Sequence, residues 1–142
     1  MKTVGLLCAI FTAVGFAQTP PEVCPKHVEP PVYPEIARTA RMQGRVPVRV
    51  TIDAEGRISN AEVSSSDPAP KFLQQSAMAN AKVWTFRKPP YAPYTFVITY
   101  EYRLRESPRE VLGVSFDLPD HVLIVSDPPY INTSVSGTKK RN

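Results

Sequence analysis

The chain has 142 residues, a formal net charge of +4, 42% apolar residues and 16 prolines. That length holds one domain, and a chain of this size buries roughly two-thirds of the surface its unfolded form exposes, enough for one core. Its arginines are spread one at a time rather than set among aromatics in a stripe, which argues against a nucleic-acid-binding class. The run Lys139, Lys140 and Arg141 reads as a solvated tail. Proline, about twice its usual share, marks the seams between elements.

The first 17 residues read as a secretory signal peptide: Lys2, then the uncharged apolar run Val4 to Phe16, with Gly15 and Ala17 as the small residues before Gln18. The run is too short for a membrane span, so membrane contact is expected only if this segment stays uncleaved. Cleavage removes Cys8 and leaves Cys24 as an odd thiol in an oxidising compartment, a candidate for an intermolecular disulfide and a homodimer. Cys24 and His27 with the distant His121 do not make up a four-ligand zinc site, so no metal and no cofactor are expected. Residues 18–29 read as a proline-rich leader, either a tether or an extended packing strand.

Tyr33-Pro34 opens a short helix whose stripe is Ile36, Ala37 and Ala40, with Gly44 as its left-handed stop. The period then changes from 3.6 to 2. Val46, Val48, Val50 and Ile52 face one way, Pro47, Arg49 and Thr51 the other, as a strand packed on one side requires. Pro47 lacks a ladder donor, so either the strand is an edge or that amide points away from its neighbour. Asp53 to Gly56 reads as a hairpin turn rather than a calcium loop, and the return strand Ile58 to Val63 breaks its alternation near Asn60, a bulge signal. Ser64, Ser65 and Ser66 have no glycine elbow and no histidine nearby in sequence, which argues against a nucleophile.

Leu73, Ala77, Ala81 and Trp84 recur at helical spacing over Phe72 to Val83, a second amphipathic helix packed on the sheet, with Trp84 and Phe86 closing the core. The longest alternating run follows. Phe96, Ile98, Tyr100, Tyr102 and Leu104 share one face, where the tyrosine hydroxyls are expected to reach water; Thr95, Val97, Thr99, Glu101 and Arg103 share the other. Val111 to Phe116 and His121 to Ser126 form a further hairpin in a C-terminal extension, residues 106–129, ahead of a polar tail at 130–142 that carries the sequon Asn132-Thr133-Ser134. The hairpin is expected either to enlarge the core or to cover a sheet edge. The whole is an α+β domain: a small antiparallel sheet with two helices on one face, plus this C-terminal hairpin.

Tyr33-Pro34, Ala37-Arg38, Gly44, Val46 and Val48, Asp53 with Gly56-Arg57, Val63, Ser65-Ser66, Leu73, Ala77, Trp84, Phe86 and the Tyr100 strand, in that order, resemble the C-terminal domain of the TonB energy-transducer family over residues 30–105. The resemblance implies a periplasmic module that grips an extended segment of an outer-membrane transporter. In such a grip the last strand of the domain accepts a partner strand on its unpaired backbone. Carried over here, that is the strand Phe96 to Leu104, with Thr95, Val97, Thr99, Glu101 and Arg103 beside the guest. A short leader and a cleavable signal in place of an anchor and long spacer point to an exported periplasmic or secreted adaptor. The alternative is a structural cell-envelope protein, disulfide-linked through Cys24. No nucleophile with a base, carboxylate pair or metal cluster marks an enzyme.

Overall fold

A computed structural model describes residues 23–66 and 68–130 of the chain. The signal segment, the sequon and the basic tail lie outside the described residues. Elements run in the order β1 (Pro25–His27), α1 (Glu35–Thr39), β2 (Gly44–Ile52), β3 (Ile58–Val63), α2 (Lys71–Ala81), β4 (Thr85–Phe86), β5 (Tyr94–Leu104), β6 (Gly113–Asp117) and β7 (His121–Ser126). Among the described residues no helix is long and apolar enough to cross a membrane.

The main sheet has the strand order β3-β2-β5-β7-β6, and β1 and β4 form a separate antiparallel pair. The leader is therefore a packing strand in part. Within the main sheet β3·β2, β2·β5 and β6·β7 are antiparallel as expected, whereas β5·β7 is parallel. The chain passes from β5 to the outer strand β6 and turns back, which brings the second arm of the hairpin, not the first, beside β5. Both helices pack on one face of the sheet, where Ala37, Leu73, Ala77 and Ala81 meet Val46, Val48, Val50, Ile98, Tyr100, Tyr102, Val122 and Ile124 in one core.

Pro47 lies inside the sheet, so of its two readings the edge is excluded. Its carbonyl accepts from Ser64 N–H at 2.8 Å, but it has no N–H to return, and the β2·β3 register runs no further than Val48↔Val63. The missing donor thus falls where β3 ends. The bulge is present: Thr51 pairs with Asn60 and Ile52 with Ile58, leaving Ser59 as the extra residue. At the turn Gly56 has φ +84°, and a Cβ there would stand 2.1 Å from the Phe86 carbonyl oxygen. Both the conformation and the close approach require glycine.

The first helix departs from expectation. It is one turn long, so it buries Ala37 alone and leaves Ile36 53% exposed. Its left-handed residue is Arg41 at φ 53°, and Gly44 instead begins β2, with Ala69 packed where its side chain would be. The tyrosine hydroxyls also depart from expectation, because those of Tyr100 and Tyr102 end on protein groups and not in water. Asn80, on the buried face of α2, accepts from Trp84 Nε1 and from the Tyr100 hydroxyl, each at 2.9 Å, and donates Nδ2–H to the Glu29 carbonyl at 2.9 Å. Tyr102 donates to Ser76 Oγ at 3.2 Å, and Ser76 donates to the Val32 carbonyl at 2.9 Å. Tyr33, whose hydroxyl donates to the Met42 carbonyl, lies edge-on to Tyr102 with ring centroids 5.4 Å apart.

Replacing Asn80 by leucine leaves two buried donors and a carbonyl without partners. We expect N80L to cost about 2–4 kcal/mol of unfolding free energy in a urea titration, more than an exposed substitution at the C-cap of the same helix, Lys82→Leu. A second consequence is alkaline. Burial raises the Tyr102 hydroxyl from 10.0 to about 12, with Tyr100 raised as well. The folded state holds these protons more tightly, so their stabilisation is complete below pH 10 and is lost as pH rises through 12. Tyrosinate absorbance should therefore appear together with loss of near-ultraviolet circular dichroism; ionisation that precedes unfolding at Tyr102 would contradict this burial.

Candidate partner-strand site

The five residues singled out on β5 all lie on the sheet face away from the helices, but the structure divides them. Thr99, Glu101 and Arg103 are in parallel register with His121, Leu123 and Val125 of β7. Thr99 N–H donates to the Asp120 carbonyl at 2.7 Å, and Arg105 N–H to the Ser126 carbonyl at 2.8 Å. Odd-numbered backbone groups of β5 thus face β7, and even-numbered ones face β2. Thr95 and Val97 share that phase, yet β7 begins only opposite Thr99, and among the described residues no strand lies beside them. Two residues of edge backbone remain open there, flanked by Val97, 37% exposed, and by the Thr95 hydroxyl at 3.1 Å from that of Thr51.

Charges on this face are neutralised pairwise. Glu101 Oε2 lies 3.2 Å from Arg45 Nη2 and 3.4 Å from His121 Nε2; Arg49 pairs with Glu62 at 3.3 Å and Arg103 with Glu110 at 2.9 Å. Such a face suits backbone recognition better than capture of a strongly charged ligand. Arg105 and Asp127, 2.5 Å apart, tie the end of β5 to the end of β7.

Cys24 stands just before β1, half-buried, and its carbonyl accepts from Arg87 N–H at 2.9 Å. It lines a small hollow with Ile52, Pro89 and Tyr94, whereas His121, the distant histidine of the zinc reading, sits beside Glu101 in β5. Among the described residues no three of His, Cys, Asp and Glu converge so as to hold a metal ion.

The family description "Gram-negative bacterial TonB protein C-terminal" matches residues 29–104, from the leader carbonyl held by Asn80 to the last residue of β5. The chain belongs to the TonB C-terminal family. Protein TonB of Pseudomonas aeruginosa is 38% identical over 65 residues, which are 46% of this chain and 19% of that protein. Protein TonB of Xanthomonas campestris pv. campestris is 35% identical over 65 residues, 46% of this chain and 29% of its own. The chain thus spans less than a third of the length of these curated relatives. The solution NMR structure of the Pseudomonas aeruginosa TonB CTD is 28% identical, covers 61% of this chain and 90% of its own, and superposes with a TM-score of 0.45.

The hairpin β6–β7 follows the residues that match the TonB C-terminal family, and it is fastened to them through the core. Val122 is fully buried, Ile124 is 3% exposed, and Phe116 packs on Trp84 with centroids 6.1 Å apart. Sequence reasoning anticipated the hairpin but not Asn80 and Ser76, which position β5 and the leader. The available signal was an asparagine on an apolar helical stripe, four residues before a tryptophan. Because β7 shares the core, we expect Ile124→Ala to lower global stability by about 2–4 kcal/mol in one cooperative urea transition, and the partly exposed Asp127→Ala to cost less than about 1 kcal/mol. Two separate transitions for I124A would mean that the hairpin is an independent unit.

Proposed function

We propose that this chain is an exported, periplasmic protein-binding module of envelope transport, an adaptor that takes an extended segment of an outer-membrane transporter or another envelope protein by strand addition to β5. The observation that carries this reading is the open backbone at Thr95 and Val97 within a TonB C-terminal domain. Unpaired N–H and C=O groups on a strand otherwise held on both sides are what an extended guest satisfies. The guest first pairs beside Thr95 and Val97. To continue past Thr99 along Glu101 and Arg103 it must take the place of β7, which closes the module until displaced. The role is binding and not catalysis, since the face offers paired charges and backbone rather than an activated nucleophile.

The burial of β7 favours a second reading, a structural envelope protein in which this edge is permanently occupied, with or without a Cys24 disulfide. Titration of a fluorescent extended peptide, drawn from the periplasmic end of a transporter of the same host, separates the two. In the adaptor reading the full chain binds, Val97→Pro weakens binding by about tenfold or more by removing an open-edge donor, and a chain ending at Glu106 binds more tightly. Undetectable binding by the full chain and by the shortened one would sink the adaptor reading and leave the structural one.

A further inference from the structure

Where the leader passes the end of β4, the fold leaves a hollow of about 160 Å³. Its floor is Ile52, 1% exposed, and its walls are Val23 on the leader, Pro89 after β4 and Tyr94 at the start of β5. These walls are tied to one another at fixed separations. Arg87 N–H donates to the Cys24 carbonyl at 2.9 Å, β1 is paired with β4, and Ile52 is registered with Tyr94. The Tyr94 ring is held in turn, edge-on to Tyr91 with centroids 5.7 Å apart and stacked on Phe96 at 6.1 Å. A preformed apolar hollow of this kind admits a ligand without first being reorganised.

Two cations, Arg87 and Lys88, line the same hollow, and both are exposed. Among the described residues neither has an ion pair, whereas Arg45, Arg49 and Arg103 reach carboxylates at 2.9–3.3 Å. Unpaired cations beside an enclosed apolar space suit a ligand of mixed character, with its body inside and its anion at the surface. The volume limits that body. A cavity of about 150 Å³ holds one benzene molecule, so a single ring fills this one. Ring and Tyr94 then meet as an aromatic pair, and the guanidinium fork of Arg87 matches the two oxygens of a carboxylate.

We propose that this hollow is a binding site for a small aryl monocarboxylate, its ring against Ile52 and Tyr94 and its carboxylate on Arg87 and Lys88. The site lies on the β2 side of β5, where Tyr94 is registered with Ile52, and not along the open backbone of Thr95 and Val97. It is therefore independent of the strand-addition reading.

Cys24 shares the wall of the hollow, so its thiol reports occupancy. In the full chain carrying Cys8→Ser, the rate of Cys24 alkylation by iodoacetamide is followed against added sodium phenylacetate, with sodium acetate as the salt control. Phenylacetate should slow alkylation saturably, with half-protection near about 1 mM, the strength that about ten heavy atoms reach at modest efficiency. Phenylacetamide has the same shape without the charge and should protect about tenfold more weakly. Arg87→Gln combined with Lys88→Gln should reduce protection by phenylacetate to the same degree, with near-ultraviolet circular dichroism unchanged. No slowing by phenylacetate at about 10 mM, equal slowing by acetate or by the amide, or undiminished protection in the double variant overturns the proposal. The comparison of acid with amide uses the unmutated hollow, so it decides even if R87Q/K88Q fails to fold.

Discussion

The carboxamide of Asn80 must satisfy three groups that folding takes out of water: the Trp84 indole N–H, the Tyr100 hydroxyl and the Glu29 carbonyl. Each belongs to a different part of the chain. Trp84 leads into β4, which holds the leader strand β1; Tyr100 stands in the middle of β5; Glu29 is the leader itself. A buried polar group without a partner costs more than the bond it lost, so this one side chain makes the placement of helix, leader and central strand mutually dependent. Ser76, one turn earlier on α2, repeats the arrangement by joining Tyr102 to Val32.

With β5 held from beneath, what happens at its two edges decides what the domain can bind. One side is filled by β2 along the strand's length; the other is half filled by β7. The odd-numbered residues proposed from the alternation do lie together on one face, yet only Thr95 and Val97 stand beside open backbone. The open backbone on that side of β5 is thereby limited to a short notch ahead of β7. The hairpin that covers the rest is held by Val122, Ile124 and Phe116 in the core and by Arg105–Asp127 at the surface. Of these the apolar contacts matter most, because partly exposed ion pairs contribute little.

The outer edge at β6 follows from the same geometry. Sheets that do not close have edges, and covering one strand displaces the liability to the next. Here the new edge carries apolar residues at every second position and little charge, in contrast to the paired arginines and glutamates along β2, β3 and β5.

Local chemistry in the chain determined a good deal. Alternation placed Val46 to Ile52 and Phe96 to Leu104 as strands with the correct buried faces; Gly56 placed the turn; the irregular spacing before Ala61 placed the bulge; Leu73, Ala77, Ala81 and Trp84 placed the second helix and its stripe. The ordered residues from Tyr33 to Tyr100 also carried the family. All of these depend on side-chain periodicity or on one residue's backbone freedom, both of which are written locally. Tertiary structure alone decided which strands are neighbours, because alternation reports the face of a strand and says nothing of what lies along its edge. It made Pro47 interior, set β7 parallel to β5, and turned β6 into the boundary. It also gave Asn80, Tyr100 and Tyr102 their partners, since a polar side chain is stable in a core only when residues remote in sequence supply its hydrogen bonds.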